Sequence, residues 1–317
     1  MEDASNHPLV TIGIVCYKAE NFIIETLNSV YHQTYDKIEL IVSDDHSPDN
    51  TVQIIKEWLC SHKSRFVNTL VIESDTNTGP SGNGNRAIFQ AHGEWYKSLD
   101  GDDILKDTAI TDYVEFVNSN KNVNFVFGRI ASFQGEFDPN KTKITNPFLY
   151  PSIYKERISA NRQYNVLLKH FLASGTSGFY RTSVLKSLGG YDERFPFLED
   201  YPLLIKYAKN GNKLWLLDKI TLYYRIVPSS ISHYHQNHNQ IFSNSDIRSI
   251  EEYKYQYLRE NYGFIWKVLS NYSIYMKTLI IKHGNTMYRP LCRFLYTVYK
   301  ITDPYKWYEK ILLLFYR

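Results

Sequence analysis

Residues 96–103 read YKSLDGDD and place Asp100, Asp102 and Asp103 within four positions. Three like charges this close repel one another unless solvent or a cation neutralises them. Oxygen-only ligands on one loop suit hard divalent cations such as Mg2+ or Mn2+, usually shared with substrate phosphates. The competing reading is a helix N-cap ahead of residues 104–117, because Asp accepts hydrogen bonds from unpaired first-turn amides. Asp103 suits that role, but capping does not require three carboxylates. A second acidic stretch, DDHSPDNT, sets Asp44 and Asp45 side by side. It reads either as an ordinary polar turn or as a carboxylate placed to accept a hydrogen bond from a nucleotide base.

Both stretches follow apolar runs that must position them. Residues 9–16, LVTIGIVC, form a continuous β-branched run that predicts a buried strand, followed by a polar turn at 17–21 and a helix over 22–32. The pattern repeats with a strand at 38–43, the DDHSPDNT loop and a helix at 51–60. It repeats again with a strand at 70–73, the loop NTGPSGNGN and a helix from about 86 to 92. A fourth strand at 95–99 runs into DGDD. Further strands are expected at 125–133, 213–217 and 221–226, and helices at 166–172 and 201–210, the last stopped by Gly211. Alternating β and α elements predict an α/β fold with a mostly parallel sheet covered on both sides. In such sheets ligands bind outside the carboxyl ends of the strands, so YKAEN, DDHSPDN and DGDD should converge on one edge. Residues 134–165 lack periodicity and read as a surface loop or a lid over substrate. Trp95 and Trp215 read as core residues rather than sugar platforms.

The chain has 317 residues, 43% of them hydrophobic, enough for one large domain and an appendage. Cys16, Cys60 and Cys292 are odd in number and widely spaced, forming neither a disulfide framework nor a zinc pattern, which fits a reducing compartment. The opening MEDASNHPLV lacks a basic and apolar leader, and no run approaches 18 apolar residues, so a cytoplasmic location is expected.

The net charge of +3 divides unevenly. Residues 240–317 hold 12 Lys and Arg against 6 Asp and Glu, leaving 24 against 27 in residues 1–239. We therefore expect a main domain at 1–239, the part that the resemblance below implies to be catalytic, and a basic, aromatic, amphipathic helical extension at 240–317. The extension reads as a helical appendage packed on the main domain or as a peripheral contact with the inner face of the cytoplasmic membrane. Nucleic acid is not an expected partner, since no binding motif appears and the body is acidic.

Five stretches in order, TIGIVCYKAENFIIETLNSVYHQTY, IELIVSDDHSPDNT, NTGPSGNGNRAI, GEWYKSLDGDD and GGYDERFPFLED, resemble family 2 of the inverting glycosyltransferases, whose catalytic domain has the GT-A fold. The match runs from about residue 10 to 231. The resemblance implies a Rossmann-like, mostly parallel sheet flanked by helices. It also implies transfer of a hexose-like sugar from a nucleoside-diphosphate donor, most naturally a UDP-sugar, to a saccharide or lipid-linked saccharide in bacterial surface polysaccharide assembly. It assigns Tyr17 and Glu20 to the nucleotide pocket and one of Asp44 and Asp45 to the base. Asp100 and Gly101 fall on the donor side of the DxD element, and Asp102 with Asp100 would hold Mn2+ or Mg2+. Glu199 and Asp200 match the acidic pair before a helix, with Asp200 as catalytic base. The loop SGTSGFYR, with Ser174, Thr176 and Ser177, matches a segment facing the sugars.

Two departures accompany the match. Relatives often carry an Arg before the Asn of the third loop; here Asn83-Gly84-Asn85 precedes Arg86, leaving Asn85 and Arg86 as the candidate donor contacts. Relatives also often carry a His shortly after the YR of the last strand; here Val227 stands there, with His233 and His235 downstream. Two other functions are open at this stage. A sugar nucleotidyltransferase would need a Gly-rich basic loop that YKAEN is not, and a non-catalytic carbohydrate-binding scaffold would not need DGDD and LED intact.

Overall fold

The computed structural model describes residues 7–145, 151–169, 175–227, 241–242 and 262–316. Ser174, His233 and His235 lie outside them, as does most of the first half of the 240–317 extension. The chain divides into two compact units, one of Met1–Leu167 with Leu172–Arg225, the other of Leu168–Phe171 with Ile226–Arg317.

The first unit is built on a nine-stranded mixed sheet in the order β3-β2-β1-β4-β8-β6-β9-β5, with β7 paired to β6. Its strands are β1 (Val10–Cys16), β2 (Ile38–Asp44), β3 (Asn68–Glu73), β4 (Trp95–Asp100), β5 (Ile104–Leu105), β6 (Phe125–Phe133), β7 (Lys143–Thr145), β8 (Gly178–Arg181) and β9 (Trp215–Arg225). β3, β2, β1 and β4 run parallel, in register from Val10 opposite Ile38 and Trp95. β8 is antiparallel to both β4 and β6, which turns the sheet from parallel to mixed.

The continuous apolar runs are the reason for this arrangement: every residue of β2 is buried, as a strand covered on both faces requires. One face is closed by α1 (Ile23–Tyr31), α2 (Thr51–His62) and α4 (Ala109–Ser119), whose Leu27, Trp58 and Ile110 join Ile12, Leu40 and Phe179 in the main core. The other carries α3 (Gly79–Gln90), and Phe125 and Phe127 pack there against Tyr180, Tyr207 and Tyr154. Trp95 is a core residue, stacked on Phe179 at 5.0 Å.

Four elements differ from expectation. The helix expected from about 86 begins at Gly79, so NTGPSGNGN is mostly helical. Its glycines serve close packing: a Cβ on Gly84 would meet the Tyr191 ring at 2.6 Å. No helix starts at 104; that segment forms β5 against β9, and α4 begins five residues later. Of the helix expected at 166–172, residues 170–172 lie outside the described residues; the described helix there, α5 (Ala160–Leu167), starts six residues earlier. There the buried Gln163 interrupts the apolar pattern while bonding to the backbone of Ile153 and Leu214. The two strands expected at 213–217 and 221–226 are one, β9, because a register shift against β6 absorbs the exposed Asp218-Lys219 step. After the short α6 (Thr182–Ser187), the helix before Gly211 is α7 (Asp200–Lys209), ended by that glycine at φ +79°.

The second unit contains helices Phe264–Lys282, Pro290–Thr302 and Pro304–Tyr316. The first two pack through Met276, Ile280 and Tyr299. No described helix is long and apolar enough to cross a membrane.

Candidate active site

The loops after β1, β2 and β4 meet at one edge of the sheet, as parallel strand ends require. Lys18 N–H donates to Ser47 Oγ, Ala19 N–H to Thr51 Oγ1, and Gly101 N–H to the Val15 carbonyl. Gly101 allows the close approach, since a Cβ there would lie 2.7 Å from that of Cys16. Lys18 and His46 both adopt left-handed φ at these turns. Tyr17 is exposed at this edge, with the Lys18 ammonium 5.1 Å from its ring. Glu20 accepts from the Asn50 backbone and side chain.

Asp44 and Asp45 sit here too, both buried and both occupied by the protein itself. Asp44 takes the Ser47 N–H and hydroxyl, closing the turn. Asp45 accepts from the Thr78 and Gly79 amides, the Thr78 hydroxyl and Arg86 Nη2, the last at 2.5 Å. It thus serves the N-terminus of α3, which explains why that helix starts early. Arg86 is drawn into this network and also holds Asn83 Oδ1. Replacing Asp45 with alanine strips these donors of their acceptor and leaves Arg86 uncompensated. It should lower stability by about 2–4 kcal/mol in urea denaturation; a loss below about 1 kcal/mol would refute the assignment. Asn85 is equally committed, bonding to the backbone of Tyr191 and to Glu193 on the far side of α3. Its placement pins the GGYDERF segment rather than opening toward Tyr17.

The acidic loop itself is held from below. Asp103 is fully buried and caps no helix; its Oδ1 accepts from the Arg225 N–H, and its Oδ2 has no partner. Arg225 lies between the Phe22 and Phe133 rings and donates to the Asp102 carbonyl and to Glu25. Among the described residues the Asp100 and Asp102 carboxylates receive no side-chain hydrogen bond. Desolvation, then the charges of Asp102 and Asp200, push the Asp100 carboxyl up to about 7, and desolvation raises Asp102 as well.

Glu199 and Asp200 begin α7 and reach this cluster from a hundred residues away in sequence. Desolvation and the neighbouring Asp200 charge raise Glu199 to about 8, with Asp100 adding to it. Desolvation raises Asp200 as well, to about 6, while the Gly175 N–H at 2.8 Å and the nearby Lys97 ammonium oppose the rise by favouring its charged form. Both carboxyls are thus raised, while the Gly175 N–H and the Lys97 ammonium favour the charged form of Asp200, which suits Asp200 to act as a general base. Gly175 makes the fit possible: a Cβ there would lie 1.6 Å from Asp200 Oδ1. Gly175→Ala should displace this carboxylate and lower kcat about a hundredfold, with the unfolding midpoint little changed. Wild-type turnover in that variant would contradict the placement.

Two residues here escaped the sequence reading. Lys97 is completely buried on β4, donating to the carbonyls of Ser98 at 2.5 Å and Thr176 at 2.6 Å. A lysine inside an apolar strand was the visible signal. Arg225 was visible only as the end of a YR pair.

No three His, Cys, Asp or Glu side chains among the described residues converge as a complete metal cage. Two open carboxylates at a charge-crowded loop, backed by an orphaned third, nevertheless fit a divalent cation that takes its remaining ligands from a diphosphate.

The sequence profile described as "Glycosyl transferase family 2" matches residues 11–189, more than half of the chain. The chain belongs to that family and is a glycosyltransferase of GT-A-like fold. It is 27% identical over 226 residues to the Escherichia coli UDP-Glc:alpha-D-GlcNAc-diphosphoundecaprenol beta-1,3-glucosyltransferase WfaP, covering 71% of this chain and 80% of that one. An uncharacterized glycosyltransferase of Haemophilus influenzae matches at 23% identity over 95% of this chain and 88% of its own length. Among solved structures, S. aureus TarS 1-349 in complex with UDP-GlcNAc superposes with a TM-score of 0.55 at 23% identity, over 69% of this chain and 58% of that one. The mannosyltransferase PcManGT of Pyrobaculum calidifontis, in complex with GDP-Man and Mn2+, gives 0.51 at 16% identity, over 97% and 85%. At these identities the structural likeness speaks for the fold.

Proposed function

We infer that the chain transfers a sugar, with inversion, from a UDP-sugar to a hydroxyl of a saccharide or lipid-linked saccharide, in assembly of a bacterial surface polysaccharide. The observation that carries this reading is the meeting of Asp100, beside Asp102, with the Glu199–Asp200 pair, whose charges act on that of Asp100 although α7 and the β4 loop are remote in sequence. Asp200 takes the proton of the acceptor hydroxyl as its oxygen attacks the anomeric carbon. The bond to the diphosphate breaks on the opposite face, so one displacement inverts the configuration. Mn2+ or Mg2+, held by Asp102 with Asp100, would supply the positive charge that stabilises the departing diphosphate. Tyr17 offers an exposed ring for the base, and Gly101 keeps the acidic loop against the end of β1. Asp44, Asp45, Glu20 and Arg86 shape this edge through their own hydrogen bonds, and Asn85 pins the GGYDERF segment.

The donor class and a lipid-linked acceptor follow the E. coli relative, whose name pairs UDP-Glc with a diphosphoundecaprenol-linked sugar. A lipid-linked acceptor places the enzyme at the inner face of the cytoplasmic membrane, with 240–317 as the peripheral contact and 1–239 as the catalytic domain.

A panel of nucleotide sugars, assayed for binding and slow hydrolysis with Mn2+, with EDTA and with Asp102→Asn, tests this reading. Turnover of one donor is expected with Mn2+ and should be lost with EDTA and in the variant. If no donor bound under any condition, the reading would fail.

A further inference from the structure

The helical unit has an inside and an outside of unequal logic. Met276, Ile280 and Tyr299 are buried between Phe264–Lys282 and Pro290–Thr302, and Ser273 Oγ donates to a buried Asp303. Yet the same unit leaves large apolar side chains in water. On Pro304–Tyr316 the exposed large apolar residues among those described are Trp307, Ile311, Leu314 and Phe315, with Leu314 83% and Phe315 74% exposed. Their spacing of i, i+4, i+7 and i+8 puts all four on one helical face. Phe294 and Ile301 are similarly exposed on the preceding helix. A soluble monomer seldom leaves so much apolar surface uncovered without a partner for it.

The charge of the unit identifies that partner. Residues 264–316 hold eight Lys and Arg against two Asp and Glu. One of the two acids, Asp303, is buried. Lys310 borders the apolar face, its ammonium 4.6 Å from the Trp307 ring, and Lys306 stands one turn before it with its ammonium 5.7 Å from the Tyr299 ring. A second copy of the chain would bring the same positive charge against itself. An anionic bilayer matches both features, because its phosphates meet the lysines while its acyl boundary takes the apolar face.

We propose that the helix Pro304–Tyr316 docks on an anionic phospholipid bilayer through Trp307, Ile311, Leu314 and Phe315, lying in the interface with Lys306 and Lys310 among the headgroups. This rests on the membrane location given above and names its contact, but the surface needs no donor, metal or acceptor to act. Its failure and the failure of the glycosyltransferase reading are therefore separable.

The test is flotation of the full chain with vesicles of phosphatidylcholine alone or with phosphatidylglycerol added, alongside UDP binding and sedimentation. The chain should float with the anionic vesicles, less so as salt rises. The double change Trp307→Glu and Leu314→Glu should weaken vesicle binding at least about tenfold. Lys306→Gln with Lys310→Gln should weaken it by about tenfold or more, on anionic vesicles alone. Both variants should keep the wild-type circular dichroism and UDP affinity. The lysine pair keeps the test valid should the glutamate variant fail to fold. Equal binding to neutral and anionic vesicles, undiminished binding by the variants, or no vesicle binding would each overturn the proposal. So would a dimer that Leu314→Glu dissolves in place of a vesicle complex.

Discussion

Asp200→Asn should lower kcat by about 10³-fold while leaving donor affinity within about twofold. The amide keeps the size of the carboxylate and can still face the Gly175 N–H, so the fold and the donor pocket have no reason to change. What disappears is the carboxylate whose charged form the Gly175 N–H and Lys97 favour. Glu199 is raised to about 8 by desolvation and by the Asp200 charge, with no lysine among the described residues beside it to favour its charged form, which makes it the poorer base of the two. The wild-type profile carries the same signature. A base titrating at about 6 must lose its proton to work, so kcat should climb as pH rises through about 6 and level off above. Stopped assays of initial rate against pH, at saturating donor and acceptor, measure both. An Asp200→Asn enzyme with wild-type kcat, or a wild-type rate flat from pH 5 to 8, would remove Asp200 from the mechanism.

Lys97→Met should act on stability and catalysis together. Methionine keeps most of the stem that β4 packs, but it removes an ammonium that two buried carbonyls and three nearby carboxylates depend on. Desolvation already holds this lysine down to about 8, with Asp100, Asp103 and Asp200 opposing that fall. Its loss takes this donor from the Ser98 and Thr176 oxygens and leaves the carboxylates uncompensated, at a cost of about 2–4 kcal/mol in urea denaturation. The catalytic effect follows by sign. Lys97 lowers the proton affinity of Asp200, so without it the acid limb of the kcat profile should move to higher pH. A lysine that only filled space would give the stability loss without that displacement. An unmoved limb would assign Lys97 to packing alone.

Both residues show where sequence reasoning reached and where it stopped. The runs VTIGIVC and IELIVSD could only be buried parallel strands, and parallel strands bring their carboxyl-end loops together; YKAEN, DDHSPDN and DGDD had to meet for that reason alone. The third loop was harder to read, because a Gly-rich, Asn-rich segment carries no helical periodicity. Its helix depends on Asp45 accepting the first amides from another strand, a contact no local pattern records.

The same limit governs the site. That acidic residues stand at the ends of β2 and β4 and before α7 was written in the order of the chain. That Asp44 and Asp45 are consumed by turn and helix amides, while Asp100 and Asp102 stay open, was decided only when the loops packed. So was the unequal rise of Glu199 and Asp200, because a carboxyl group's proton affinity is set by its burial and by charges from distant segments. Gly175, Lys97 and Arg225 reach the acidic loop and α7 from three separate elements. Residue types were settled by the chain; which of them hold charge, accept protons or merely support the loop was settled by the neighbours that folding supplied.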